Sequence, residues 1–271
     1  MNLNTIVEVK RPKSFEEIEW REGHAFLGGG TWLFSEPQVA TDTLVDLEQL
    51  GWPPLTMTPS GLEIAATCKI VELHDFKGPP EWRAVPLIDK CIDAFLMSFK
   101  IWNAATVGGN VCMSLPAGAM ISLTAALQGV CNLWPQNGSK PRQVPVVDFV
   151  TGNHTNVLQK GELLRSIFLP ASALTKRFAM RQVSLTHLGR SAALIIGTVA
   201  DRDYDFLLTI SAATPRPVHL RFEKTPSAAE LRQAIEERLP PDAWFHDVHG
   251  SAPYKRHVTF YLAEQIRAEL S

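Results

Sequence analysis

The sequence is short of the residues that build metal and redox centres. Its 271 residues include four cysteines, Cys68, Cys91, Cys112 and Cys131, and no two form a C-x-x-C pair. That pattern argues against a zinc knuckle, a redox dithiol or an iron–sulfur cluster within this chain, and leaves buried thiols. The eight histidines make no H-E-x-x-H; His246 and His249 are three apart in a polar turn without a third ligand, so no metal site is expected. No G-x-x-x-x-G-K-[ST] occurs, which removes a P-loop module. No lysine or arginine run stands out and the net charge is −2, so neither nucleic acid nor an anionic membrane is an expected partner. No apolar run reaches the roughly 20 residues that span a bilayer, and Met1–Thr5 lacks a signal pattern, so the expected compartment is the cytoplasm. Internal repeats and low-complexity segments are absent. Asn137-Gly138-Ser139 matches a glycosylation sequon, which in a cytoplasmic protein reads as a turn.

What the chain does have is glycine in two runs and enough apolar residues, 45%, to fill a core. The first run is Phe26-Leu27-Gly28-Gly29-Gly30-Thr31 and the second is Ala104-Ala105-Thr106-Val107-Gly108-Gly109-Asn110. The second leads into an apolar helix that Pro116 can start. Glycines admit close approach of backbone to a ligand, and a helix N-terminus with free N–H groups favours an anion, so this place suits a phosphate or a polar cofactor chain. The other reading is two ordinary tight turns.

Local patterns predict the elements around these runs. Ser14 and Glu17 form a capping box for a helix to about Arg21. Strands are expected at Ala25–Leu27, Thr43–Leu47 and Leu62–Ala65, a short helix over Ile70–Phe76, and a helix over Pro86–Phe99 from its three-to-four apolar spacing. Val130–Trp134 and Gln143–Val146 read as a hairpin turning at Asn137-Gly138, and Glu162–Leu169 as a strand ending at Pro170, where a domain boundary is placed. Beyond it, strands at Arg177–Val183, Ala192–Val199 and Phe206–Ala212 and Ser-capped helices over Ser227–Leu239 and Ser251–Leu270 predict a small α+β domain. The expected division is 1–170 and 171–271.

Taken together in order and spacing, these segments resemble the FAD-binding medium subunit of the molybdenum hydroxylases, the family of xanthine dehydrogenase, aldehyde oxidase and the carbon monoxide dehydrogenase flavoprotein. Leu27–Thr31 is similar to the family's A-G-G-T, Val45-Asp46-Leu47 to its V-D-L, and Ile101–Asn110 to I-R-N-x-A-T-I-G-G-N. Pro116-Ala117 resembles part of S-P-A-A-D. Val147-Asp148-Phe149 and Gly161-Glu162-Leu163-Leu164, with Ile167 and Pro170, resemble the end of the FAD domain, and Gly250–Arg256 the G-S-x-x-Y-R-R start of a C-terminal helix. The resemblance covers nearly the whole chain. It implies an α+β fold: a PCMH-type, vanillyl-alcohol-oxidase-like FAD domain followed by a small α+β domain like that of the carbon monoxide dehydrogenase flavoprotein.

By the same resemblance, FAD is held by Leu27, Gly28, Gly29, Gly30, Thr31, Trp32, Ala105, Thr106, Gly108, Gly109, Asn110, Cys112 and Leu164. Arg177, four residues before Arg181, is the implied positive charge beside the flavin ring. No catalytic base is implied on this chain. The implied role is electron transfer, from a molybdenum cofactor on a large subunit through [2Fe-2S] clusters on a small subunit to FAD here, and on to NAD or another acceptor. A dimer of heterotrimers is the implied assembly. Three positions depart from the family: Trp32 follows A-G-G-T where a polar residue is usual, Trp102 replaces the Arg of I-R-N, and Ala119 takes the place of the Asp of S-P-A-A-D. Loss of that Asp is expected to weaken FAD binding without abolishing it. Two other readings stand beside this one. A family member that has lost its cofactor would serve as a structural or assembly subunit. A stand-alone flavin oxidase would need a substrate domain larger than 171–271.

Overall fold

The computed structural model describes residues 3–136 and 138–271. The chain first forms a small parallel sheet, in which β1 (Glu8–Lys10), β2 (His24–Leu27) and β3 (Thr43–Asp46) pair in the order β1-β3-β2. β2 delivers the chain into the first glycine run. The expected helix after Ser14 is only a 3-10 turn, Phe15–Glu17. Ser14 makes no side-chain cap, and Glu17 instead accepts the Lys13 N–H at 2.8 Å. Ile18, with Phe15 packed against it, is drawn into a cluster with Val45, Leu47 and Leu163, which holds this stretch against the sheets rather than in a helix.

An antiparallel five-stranded sheet follows, starting with β4 (Leu55–Thr58) and β5 (Gly61–Ala65). The chain then passes through α1 (Ile70–His74), α2 (Pro86–Asp93), α3 (Phe99–Trp102), α4 (Val107–Met113) and α5 (Ala119–Ala126). It returns as β6 (Val130–Trp134) and β7 (Arg142–Pro145), leading into α6 (Val146–Phe149) and the small hairpin β8 (Val150–Gly152) and β9 (Thr155–Asn156). β10 (Leu163–Pro170) completes the sheet in the order β4-β5-β10-β6-β7. The turn and sequon expected at 137–139 involve Asn137, which lies outside the described residues.

α2 buries Leu87, Ile88, Cys91 and Ile92 but ends at Asp93, short of the expected Phe99. Leu96 takes a left-handed φ of 53°, which no α-helix continues through, and the chain turns away toward α3. α5 is buried at every position, as a helix packed on all sides must be.

After α7 (Ala171–Leu174), the strands β11 (Arg177–Ser184), β12 (Ser191–Val199), β13 (Tyr204–Ser211) and β14 (Val218–Lys224) form an antiparallel sheet in chain order. α8 (Ala228–Arg238) and α9 (Ala252–Leu270) cover one face, capped by Ser227 and Ser251 as the sequence predicts. β12 is buried throughout because α9 lies on one side and α5 on the other. A Cβ on Gly197 would meet Ile266 at 2.3 Å, so α9 sits directly on the strand backbone. Polar contacts also join this sheet to α5: Ser122 and Ser211 hydroxyls are 2.7 Å apart, and His219 Nε2 is 3.1 Å from the Ala125 carbonyl oxygen.

Candidate functional site

The two glycine runs, some eighty residues apart, touch. A Cβ on Gly29 would lie 1.6 Å from the Ala104 carbonyl oxygen, and one on Gly28 would lie 2.9 Å from Thr106 Oγ1. No residue but glycine fits Gly29 without moving backbone. Gly30 adds a left-handed φ of 69°, and its missing Cβ makes room for the Phe34 ring. The turn is held from behind, because Phe34 N–H donates to Gly30 O at 2.8 Å and Ser35 N–H to Trp32 O at 2.7 Å. Among the described residues, the amides of Gly28, Gly29, Gly30, Thr31 and Trp32 have no protein acceptor. All five residues line one cleft of about 750 Å³, within the usual range for small-molecule and cofactor sites.

The second run differs from the expected open helix start. Thr106 caps α4 by accepting the Gly109 N–H at 3.0 Å. The other early amides are also taken: Val107 N–H donates to Cys68 O at 2.9 Å, Gly108 N–H to Ala66 O at 3.0 Å and Asn110 N–H to Thr106 O at 3.1 Å. The free donors therefore lie on the first run and not at the helix. Nor does Pro116 start the next helix directly, since Gly118 is the cap of α5. Asn110 Oδ1 accepts the Met120 N–H at 3.1 Å and so ties the second run to α5.

Other walls come from separated segments. Phe95, Leu96, Met97 and Ile101 give an apolar side. His154, at the tip of the β8–β9 hairpin, faces Trp32 with ring centroids 5.6 Å apart. Arg190, exposed at the start of β12, brings a guanidinium to the rim. Phe245, Asp247 and His249 complete the lining from the segment before α9. Cys112 lines the cleft as a neutral thiol, because burial pushes its pKa up to about 12. Among the described residues no three His, Cys, Asp or Glu side chains gather as a metal site would require, and no helix is long and apolar enough to cross a membrane.

Residues 5–172 match the model of the FAD-binding domain in molybdopterin dehydrogenase. The chain belongs to that family. No curated protein sequence matches it. Among solved structures, quinoline 2-oxidoreductase from Pseudomonas putida 86 superposes with a TM-score of 0.79 at 16% identity, covering 97% of this chain and 96% of that one. Carbon monoxide dehydrogenase from Hydrogenophaga pseudoflava, in a form lacking the Mo-pyranopterin moiety, gives 0.78 at 19% identity with 96% of each chain covered. A cyanide-inactivated Cu,Mo carbon monoxide dehydrogenase gives 0.79 at 21%, covering 96% and 97%. The α+β architecture expected from the sequence is thus shared end to end. The cleft suits the FAD of this family on its own chemistry: five unpaired amides are a ready site for a diphosphate, and glycine keeps side chains out of its path.

The structure gathers most of the residues named for this flavin-binding domain. Leu27, Gly28, Gly29, Gly30, Thr31, Trp32, Ala105, Thr106, Gly109, Asn110 and Cys112 all line the cleft. Three do not. Gly108 faces away, because its missing Cβ admits Ala66, which a side chain would meet at 2.5 Å. Leu164, on β10, is 3% exposed and points into the core. Arg177 sits at the end of β11 paired with Val199, whereas the cleft lies beyond the other end, where Ser184 pairs with Ser191. Seven residues of strand, about 23 Å, separate these ends. Arg177 binds Asp203 at 2.6 Å instead, and Arg181 pairs with Glu269. Of the three departures, Trp32 alone lines the cleft; Trp102 packs on His74 and Ala119 is 1% exposed in the core. Arg190, His154, Phe245 and Asp247 are wall residues the sequence did not single out, and His249 was weighed there only as a metal ligand. The turn Thr186–Gly189 before Arg190 was the available signal.

Proposed function

We propose that this chain is the FAD-binding electron-transfer subunit of a multi-subunit molybdenum hydroxylase, accepting electrons from iron–sulfur clusters on a small subunit and passing them to NAD or another acceptor. A large molybdenum-cofactor subunit would complete the complex, as a dimer of heterotrimers. The observation that carries this reading is the row of unpaired amides from Gly28 to Trp32, held against Ala104 where a side chain has no room. In it, the diphosphate lies on that row, Thr106 and Asn110 bound its second side, and Arg190 supplies a balancing charge at the rim. Trp32 and His154 offer flat faces for a ring. The stretch Phe95–Met97 with Ile101 offers the ligand an apolar wall. Bound flavin supplies the ability to exchange electrons singly with clusters and in pairs with a hydride acceptor. The chain's own part is to bind, orient and shield it.

The test is co-expression with the neighbouring subunits, followed by purification, identification of the co-purifying chains and a visible spectrum before and after substrate. A flavin band that bleaches with substrate only when an iron–sulfur subunit is present supports the reading. A flavin reduced by a small substrate in the isolated chain favours a stand-alone oxidase, and a colourless chain in an otherwise intact complex favours a structural subunit.

A further inference from the structure

Lys255, on the first turns of α9, is 0% exposed, a rare place for an ammonium. Its Nζ donates to Asp247 Oδ1 at 2.9 Å and to Ala212 O at 3.1 Å. Each partner leads to a different wall of the cleft. Asp247 lines the cleft itself, and its Oδ1 also accepts the His249 N–H at 2.8 Å, closing the turn that presents Phe245 and His249. Ala212, held at a left-handed φ of 64°, donates its N–H to Pro116 O at 2.9 Å, and Pro116 lines the cleft from a separate segment just before α5. One buried cation thus joins two cleft-lining segments through short polar links.

We infer that Lys255 is a positioning residue for the cleft: it fixes Asp247 and, through Asp247, the Phe245–His249 wall relative to the Pro116 segment, so that the cleft is preorganised for its ligand. The inference rests on the reading of the cleft as an FAD site. The burial cost of such a charge is offset by pairing: Asp247 and Ala212 take two of its three N–H donors, and the Phe245 ring lies 5.1 Å from Nζ. A second buried lysine, just before β11, is an internal control. Lys176 is 2% exposed and also bonds a carboxylate and a carbonyl, Asp205 Oδ2 at 2.6 Å and Asp205 O at 3.1 Å, but at the end of the sheet away from the cleft. Both lysines anchor the domain; only Lys255 touches a cleft wall.

The experiment compares FAD affinity and the melting temperature of the cofactor-free protein for wild type, Lys255→Met and Lys176→Met. Both variants are expected to melt lower. Lys255→Met is expected to bind FAD at least about tenfold more weakly, with a changed visible circular dichroism of any flavin it holds, while Lys176→Met stays within about twofold of wild type. If Lys255→Met does not yield soluble protein, Asp247→Asn replaces it, since it keeps the acceptor for the His249 N–H and removes only the charge on the wall; the same loss is expected. Equal affinities in the Lys255 (or Asp247) and Lys176 variants overturn the inference. Failure of wild type to bind FAD at all overturns the site reading instead, so the two failures are distinguishable.

Discussion

Gly29→Ala puts one methyl group where the two glycine runs touch. The ideal Cβ would stand 1.6 Å from the Ala104 carbonyl oxygen and 2.5 Å from its carbon. Both are backbone atoms, so no side chain can swing aside. Reaching even a tight 3.0 Å requires the runs to separate by 1.4 Å, the difference between 3.0 and 1.6. A hydrogen bond of ordinary length stretched by that amount is lost. A bond from an amide to a charged oxygen contributes about 1.5–3 kcal/mol, so losing one or two weakens FAD binding by about 3 kcal/mol, on the order of a hundredfold. Gly51→Ala is the control: its φ is +60° but nothing lies within 4 Å, so it strains the backbone without moving the cleft. Titrating cofactor-free protein with FAD, read by flavin fluorescence, gives both affinities. If Gly29→Ala binds within about twofold of wild type, the contact between the runs does not shape the site.

Gly109→Val fills cleft space and crowds the Thr106 cap, since a Cβ there meets only Thr106 Oγ1, at 2.8 Å; the variant should lose flavin while the cofactor-free form stays folded, with circular dichroism and flavin content as the checks. Arg190→Ala removes an exposed cation, so melting should shift little while FAD affinity falls by about 0.5–1 kcal/mol and loses part of its salt dependence. His219 gives a pH signature. Burial, with Arg221 nearby, lowers its pKa from 6.5 to about 4, so below pH 6.5 the unfolded chain binds a proton that the folded chain refuses. Its contribution is therefore constant above pH 6.5, falls as pH drops toward 4, and costs about 3 kcal/mol at the bottom. His219→Gln should flatten that limb in denaturation measured from pH 7 to 4.

Much of the site was readable because its signals are local. Three consecutive glycines after Ala25-Phe26-Leu27 announce a strand ending in a tight turn, and that is where the unpaired amides lie. Other features depend on where distant backbone happens to pass. Gly108 looks like Gly109 in sequence, and only the position of Ala66 decides that one packs while the other lines the cleft. The early amides of α4 look free until Ala66 and Cys68 carbonyls are seen to accept them. Arg177 and Arg190 are both charged residues near strand ends, and the antiparallel turn between β11 and β12 sends them to opposite ends of the sheet. The edge strand β4, Leu-Thr-Met-Thr, alternates over only four residues directly after Pro53-Pro54 and leaves three of them exposed, too short a signal to announce a strand. β14 alternates, Val-His-Leu-Arg-Phe, yet it was not among the strands expected from the sequence, because Pro215 and Pro217 just before it read as a loop.

In the proposed function, FAD occupies the cleft between the two glycine runs. The most direct measurement is the flavin content of the purified wild-type chain after incubation with FAD and removal of the excess, set beside that of Gly29→Ala. One FAD per wild-type chain is expected, with a marked loss in the variant while its fold stays intact. A wild-type chain that stays colourless, or a variant that retains a full complement, would contradict it.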